Sequence, residues 1–136
     1  MDQKTYFQLR DAIAKKIDAT NALKEKLKGA ANFFVQQVNN SVQHEQKVAT
    51  GTDVKFENDV LYFTLKLKFI HYEEVLFTVP IPMRVSYDDG ALTFVSLDTS
   101  STVTVPANHG GNFSALAAAT SVIDGAIVSA VEKFTQ

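Results

Sequence analysis

The chain of 136 residues contains no cysteine. Disulfides, thiol nucleophiles and thiolate metal sites are therefore excluded. No apolar run reaches the ~20 residues needed to span a bilayer as a helix. The opening Met1-Asp2-Gln3-Lys4 lacks the apolar core of a secretory signal, so a cytoplasmic location is expected. An excess of one charge is also missing, with 13 Lys and Arg against 15 Asp and Glu. That balance argues against a strongly basic nucleic-acid binder and against an acidic solvating tail. No internal repeat or low-complexity tract divides the chain, so residues 1–136 are read as one domain.

What is present is pattern. From Tyr6 the apolar positions step through Leu9, Ile13, Ile17, Thr20, Leu23, Leu27, Ala31, Phe34, Val38 and Val42. Steps of three and four make one continuous helical stripe. Thr5 followed by Gln8 fits a capping box. Gly29 interrupts the propensity without changing the phase, and Asn39-Asn40-Ser41 sets the expected end near residue 39. A helix of that length is a rod of roughly 50 Å, whereas a domain of this size is roughly 36 Å across. The helix must kink near Gly29 or overhang. Phe33, Phe34, Val38 and Val42 are expected in the overhang, as contacts to a partner.

Residues 52–105 alternate instead. Leu61, Phe63, Leu65, Leu67 and Phe69 share one face, and Tyr62, Thr64, Lys66 and Lys68 the other. A turn at Asn58-Asp59 pairs Phe56 with Leu61 and Val54 with Phe63. A three-residue loop at His71-Tyr72-Glu73 pairs Phe69 with Val75 and Leu67 with Phe77. It keeps the odd-numbered residues on one face, which a two-residue loop at His71-Tyr72 would not. Asp89-Gly90 turns the next hairpin, pairing Tyr87 with Leu92 and Val85 with Phe94. Pro80 and Pro82 predict a bend, a bulge or a partly unpaired stretch. A short strand at 102–105 adds a fifth.

Residues 112–134 carry a second helical stripe through Leu116, Thr120, Ile123, Ile127 and Phe134. The expected fold is α+β: an antiparallel meander of four to five strands, with a long N-terminal helix and a C-terminal helix packed on one face, in the order α-β-β-β-β-α.

Candidate chemistry is sparse. His71-Tyr72-Glu73-Glu74 reads as a solvated hairpin tip, and Asp88-Asp89-Gly90 as a turn without calcium-loop spacing. His109, Gly110, Gly111 and Asn112 stand before the second helical stripe, where backbone N–H groups attract anions. No lysine or arginine is near them, and the pattern is neither a P-loop nor a dinucleotide fingerprint. No metal site and no cofactor is expected. The first 28 residues hold seven bases and four acids, net +3, and the remainder six bases and 11 acids, net −5. The expected function is that of a non-enzymatic protein–protein interaction or assembly module, homo-oligomeric through the long helix, whose partner is itself or another protein and not a nucleic acid. The alternatives are a binder of a small apolar ligand between sheet and helices, and a chaperone or adaptor for a secreted or phage-encoded partner. An enzyme ranks last.

Overall fold

The computed structural model describes residues 2–42, 45–98 and 102–106, together with Val128 and Glu132. The expected C-terminal helix at 112–134 lies outside the described residues, apart from those last two. The rest is one helix and a five-stranded antiparallel sheet: α1 (Gln3–Val42), β1 (Ala49–Glu57), β2 (Val60–His71), β3 (Glu74–Asp88), β4 (Ala91–Ser96) and β5 (Thr102–Pro106). The strands lie side by side in chain order, so α+β and the meander hold.

Helix α1 runs through Gly29 and spans 40 residues, about 60 Å. Its cap is not the Thr5–Gln8 pair. Asp2 takes that place: its carboxylate accepts the Thr5 backbone N–H at 2.8 Å, and its carbonyl accepts from Tyr6 at 3.2 Å. That hydrogen bond from Thr5 holds the Asp2 carboxyl below its usual range. The helix also outlasts Asn39, because this side chain is tied in place rather than competing with the helix, as shown below.

Parity puts the apolar face where the alternation places it. Leu61, Phe63, Leu65 and Leu67 of β2 and Val79, Ile81, Met83 and Val85 of β3 are buried with Phe94 of β4. The C-terminal half of α1 covers them with Leu27, Ala31, Phe34 and Val38. Phe34 stacks on Phe94, with ring centroids 4.8 Å apart, and presents an edge to Phe63 at 6.4 Å. Gly51 lets the helix come close to β1: a Cβ there would meet Val35 at 3.4 Å. At the other end of the contact, Lys26 Nζ lies 3.8 Å from the centroid of the Tyr87 ring.

The turns depart from expectation in two places. The β2–β3 hairpin turns on Tyr72 and Glu73 alone, with φ of 48° and 67°, and pairs His71 with Glu74. A shift between Phe69 and Ile70 then restores parity, giving Phe69–Phe77 and Leu67–Val79. The bulge replaces the extra loop residue and the register moves by two positions, which keeps the odd-numbered residues together up to Leu67; at the bulge itself Phe69 is left exposed and Ile70 packs against the core instead. In β1 the register shifts between Thr52 and Lys55, with Asp53 at φ 55°. Val54 is therefore not across from Phe63 and stays exposed. The Asn58-Asp59 and Asp89-Gly90 turns form as expected, with positive φ at all four residues.

The open edges are managed. At β1, Asn39 Oδ1 accepts from Val48 N and Ala49 N, both at 2.9 Å, and Asn39 Nδ2 donates to the Ala49 carbonyl at 2.9 Å. One amide side chain thus supplies both edge hydrogen bonds of Ala49, as a neighbouring strand would. On β3, Pro80 and Pro82 pair with Lys66 and Thr64 of β2. The carbonyl of Pro82 accepts from Leu97 N at 3.0 Å on the opposite side. The ring nitrogens of Pro82 and of Pro80, two residues before it, point to that same side and away from β2, so the β2–β3 ladder loses no donor.

Candidate functional site

The helix is longer than the sheet it covers. Packing against the sheet begins near Leu23. The preceding twenty residues, Gln3 to Ala22, extend about 30 Å past it. On that half Tyr6 is 56% exposed, Leu9 49%, Ile13 59% and Ile17 54%. At ~100° per residue, their mean direction differs from that of Leu27, Ala31, Phe34 and Val38 by about 35°. The exposed stripe is therefore the buried stripe continued. Tyr6, Leu9, Arg10 and Ile13 line a shallow open recess on it. Arg10 is braced there by the Phe7 ring, 4.8 Å away, and by Asp11 Oδ1 at 2.9 Å.

Charge is sorted around this half. On the same helical geometry Arg10 and Lys16 fall on opposite flanks of the stripe, and Lys4, Asp11, Lys15 and Asp18 on the far face. The sheet end that the helix leaves, near Tyr87, is acidic. The pairing of Val60 with Ser86 sets the β1–β2 turn beside the β3–β4 turn. Glu57, Asp59, Asp88 and Asp89 are thereby gathered at one end, with Lys55 bonded to Glu57 at 3.0 Å.

The residues expected in the overhang fall elsewhere. Phe34 and Val38 are buried in the chain's own core, Phe33 packs half-buried against it, and Val42 is half-exposed at the helix end. The overhang is the N-terminal half, not the C-terminal half. In the sequence Leu9, Ile13 and Ile17 belong to the same continuous stripe as the residues of the core. The signal that separates them is length: the sheet is too short to cover a forty-residue stripe. His109, Gly110, Gly111 and Asn112 lie outside the described residues.

Two other regions bear on chemistry. Beside β1 an open groove of about 890 Å³ is lined by Asn32, Val35, Gln36, Asn39, Asn40, Ala49 and Gly51, among others. Its edge is a poor seat for an added strand: Asn39 occupies Ala49, and the Asp53–Val54 irregularity follows Gly51. Ser96, paired with Met83, is fully buried, and its hydroxyl has no hydrogen-bond partner among the described residues. A serine nucleophile needs a base in hydrogen-bond reach. Among the described residues no group of three His, Asp or Glu side chains is placed to hold a metal ion. None of the helices there is long and apolar enough to cross a membrane. His71 and Tyr72 meet edge to face at 4.2 Å on the exposed β2–β3 turn.

No family model, curated protein or solved structure matches the chain.

Proposed function

We propose that this protein is a non-enzymatic assembly module that self-associates through the projecting N-terminal half of α1. One observation carries the reading: Tyr6, Leu9, Ile13 and Ile17 continue the core stripe beyond the sheet and are left about half-exposed. A lone apolar side chain on a surface is ordinary, but a row of four on one helix face marks a contact surface. Pairing of amphipathic helices along such rows is a recurrent recognition mode.

Size-exclusion chromatography with light scattering tests it. The native chain is expected to elute as an oligomer. Leu9→Asp with Ile13→Asp is expected to give a monomer with an unchanged far-ultraviolet spectrum, because neither side chain contributes to the sheet-facing core. A native chain that stays monomeric at high concentration refutes the reading.

A further inference from the structure

The geometry points to one arrangement: a two-fold dimer in which the projecting halves of α1 pair antiparallel, each helix start abutting the acidic sheet end of the other copy. This rests on the assembly reading and specifies its partner and orientation.

The projecting segment from Gln3 to Leu23, where packing on the sheet begins, is centred on Ile13. A two-fold axis there sets Ile13 against its own copy, Leu9 against Ile17, and Tyr6 against Thr20. Overlap is then complete, since residue 3 of one copy lies level with residue 23 of the other, where packing on the sheet begins. Neither helix is left with an uncovered apolar turn.

Charge separates antiparallel from parallel. An antiparallel pair brings like flank against like flank. Arg10 and Lys16 lie on opposite flanks, so Arg10 meets the side carrying Ile17 and Asn21, and Lys16 the side carrying Ala12 and Thr5. No cation faces a cation. A parallel pair sets the Arg10 flank against the Lys16 flank and crowds both sheets at one end.

The sheet lies on the stripe side of α1, so the partner helix enters the layer of that sheet, past its end. The start of the partner helix then points at the turns holding Glu57, Asp59, Asp88 and Asp89. A helix N-terminus carries about half a positive charge; here the capping Asp2 carboxylate offsets it, and Lys4 in the first turn is the positive group that remains. The acidic end of one copy and the positive helix start of the other are matched twice by the same symmetry operation.

The absence of cysteine makes the test direct. Full-length Ile13→Cys is expected to form a disulfide dimer under mild oxidation. Leu9→Cys alone is not, whereas Leu9→Cys mixed with Ile17→Cys is expected to give the mixed disulfide, read by mass on non-reducing gels. Preferential self-linking of Leu9→Cys means a parallel pair, which overturns this inference and leaves the assembly reading standing. A monomer by light scattering overturns both, as does a monomer that sediments with phosphatidylserine vesicles, which makes the stripe a membrane contact. Glu57→Lys with Asp88→Lys avoids the positive-φ turn positions and is expected to weaken the dimer about tenfold, with most of the loss removed at high salt. An unchanged dissociation constant refutes the charged contact.

Discussion

Asn39→Ala removes the one side chain that serves as a neighbour to the start of β1. Two backbone N–H groups, of Val48 and Ala49, lose their acceptor, and the Ala49 carbonyl loses a donor. Both residues are at most 3% exposed. A buried polar group left unpaired costs about 1–3 kcal/mol, so three set a ceiling near 9 kcal/mol. The groove beside them is open, and water entering it replaces part of what is lost. The expected destabilisation is therefore about 2–4 kcal/mol, or a fall in Tm of roughly 8–16 °C at ~4 °C per kcal/mol. Urea unfolding followed by circular dichroism measures it, at fixed protein concentration because the proposed self-association would shift apparent stability. Amide exchange locates it: Val48 and Ala49 should lose protection while the β3–β4 ladder keeps its own. A loss below about 0.5 kcal/mol, with Ala49 still protected, refutes the argument that this amide closes the edge.

Three further outcomes are expected. Phe34→Ala empties the space between Phe94 and Phe63 and should cost about 3–5 kcal/mol in urea unfolding; a loss near 1 kcal/mol would mean the helix is not seated there. Gly29→Ala should raise stability by about 0.5–1 kcal/mol, because a Cβ at that position meets nothing within 4 Å; a loss instead would place a break in α1 at residue 29. Asp2 has a carboxyl pKa lowered by the Thr5 hydrogen bond, so its capping contribution is present above the ordinary value of 3.8 and lost as pH falls below it through the folded value. The Thr5 amide should lose exchange protection in that window, and in Asp2→Ala the acid-dependent part of this change should disappear.

Much of the sheet was legible because side-chain parity is a strict constraint. Every core residue of β2 and β3 sits on the face that alternation assigns, and the Asn58-Asp59 and Asp89-Gly90 turns carry residues that accept positive φ. The irregularities were not legible, since parity is blind to a shift of two. Lengthening the loop by one residue or bulging the strand at Phe69–Ile70 keeps the same faces up to Leu67, and only the structure separates them. Asp53 and Val54 show the converse: alternation assigned Val54 to the core, and a bulge removed it. Asn39 was read as a helix weakener by propensity. Its role depends on an edge strand that begins ten residues later, which no local pattern displays. The stripe of α1 gave direction but not extent. Phe34 and Ile13 look alike in sequence, and what separates them is that the sheet, measured along the helix, covers one and not the other.

The sheet edges support the proposal that assembly runs along the helix. An open antiparallel sheet ordinarily offers its outer strands for pairing. Here Asn39 occupies β1 at Ala49, and the irregularity at Asp53–Val54 interrupts the rest of that strand. Pro80 and Pro82 remove two of the donors from the part of β3 that lies beyond its pairing with β4. β5 is five residues long and ends in Pro106. Each device stands at a place where a second sheet would otherwise add on. The stripe from Tyr6 to Ile17 carries no such device: no proline breaks it, no acid stands on it, and Arg10 and Lys16 sit on its flanks. Within the described residues, strand addition is opposed at these places while the helix face is left open. The proposed self-association is therefore to be tested first along α1, and only then across the sheet.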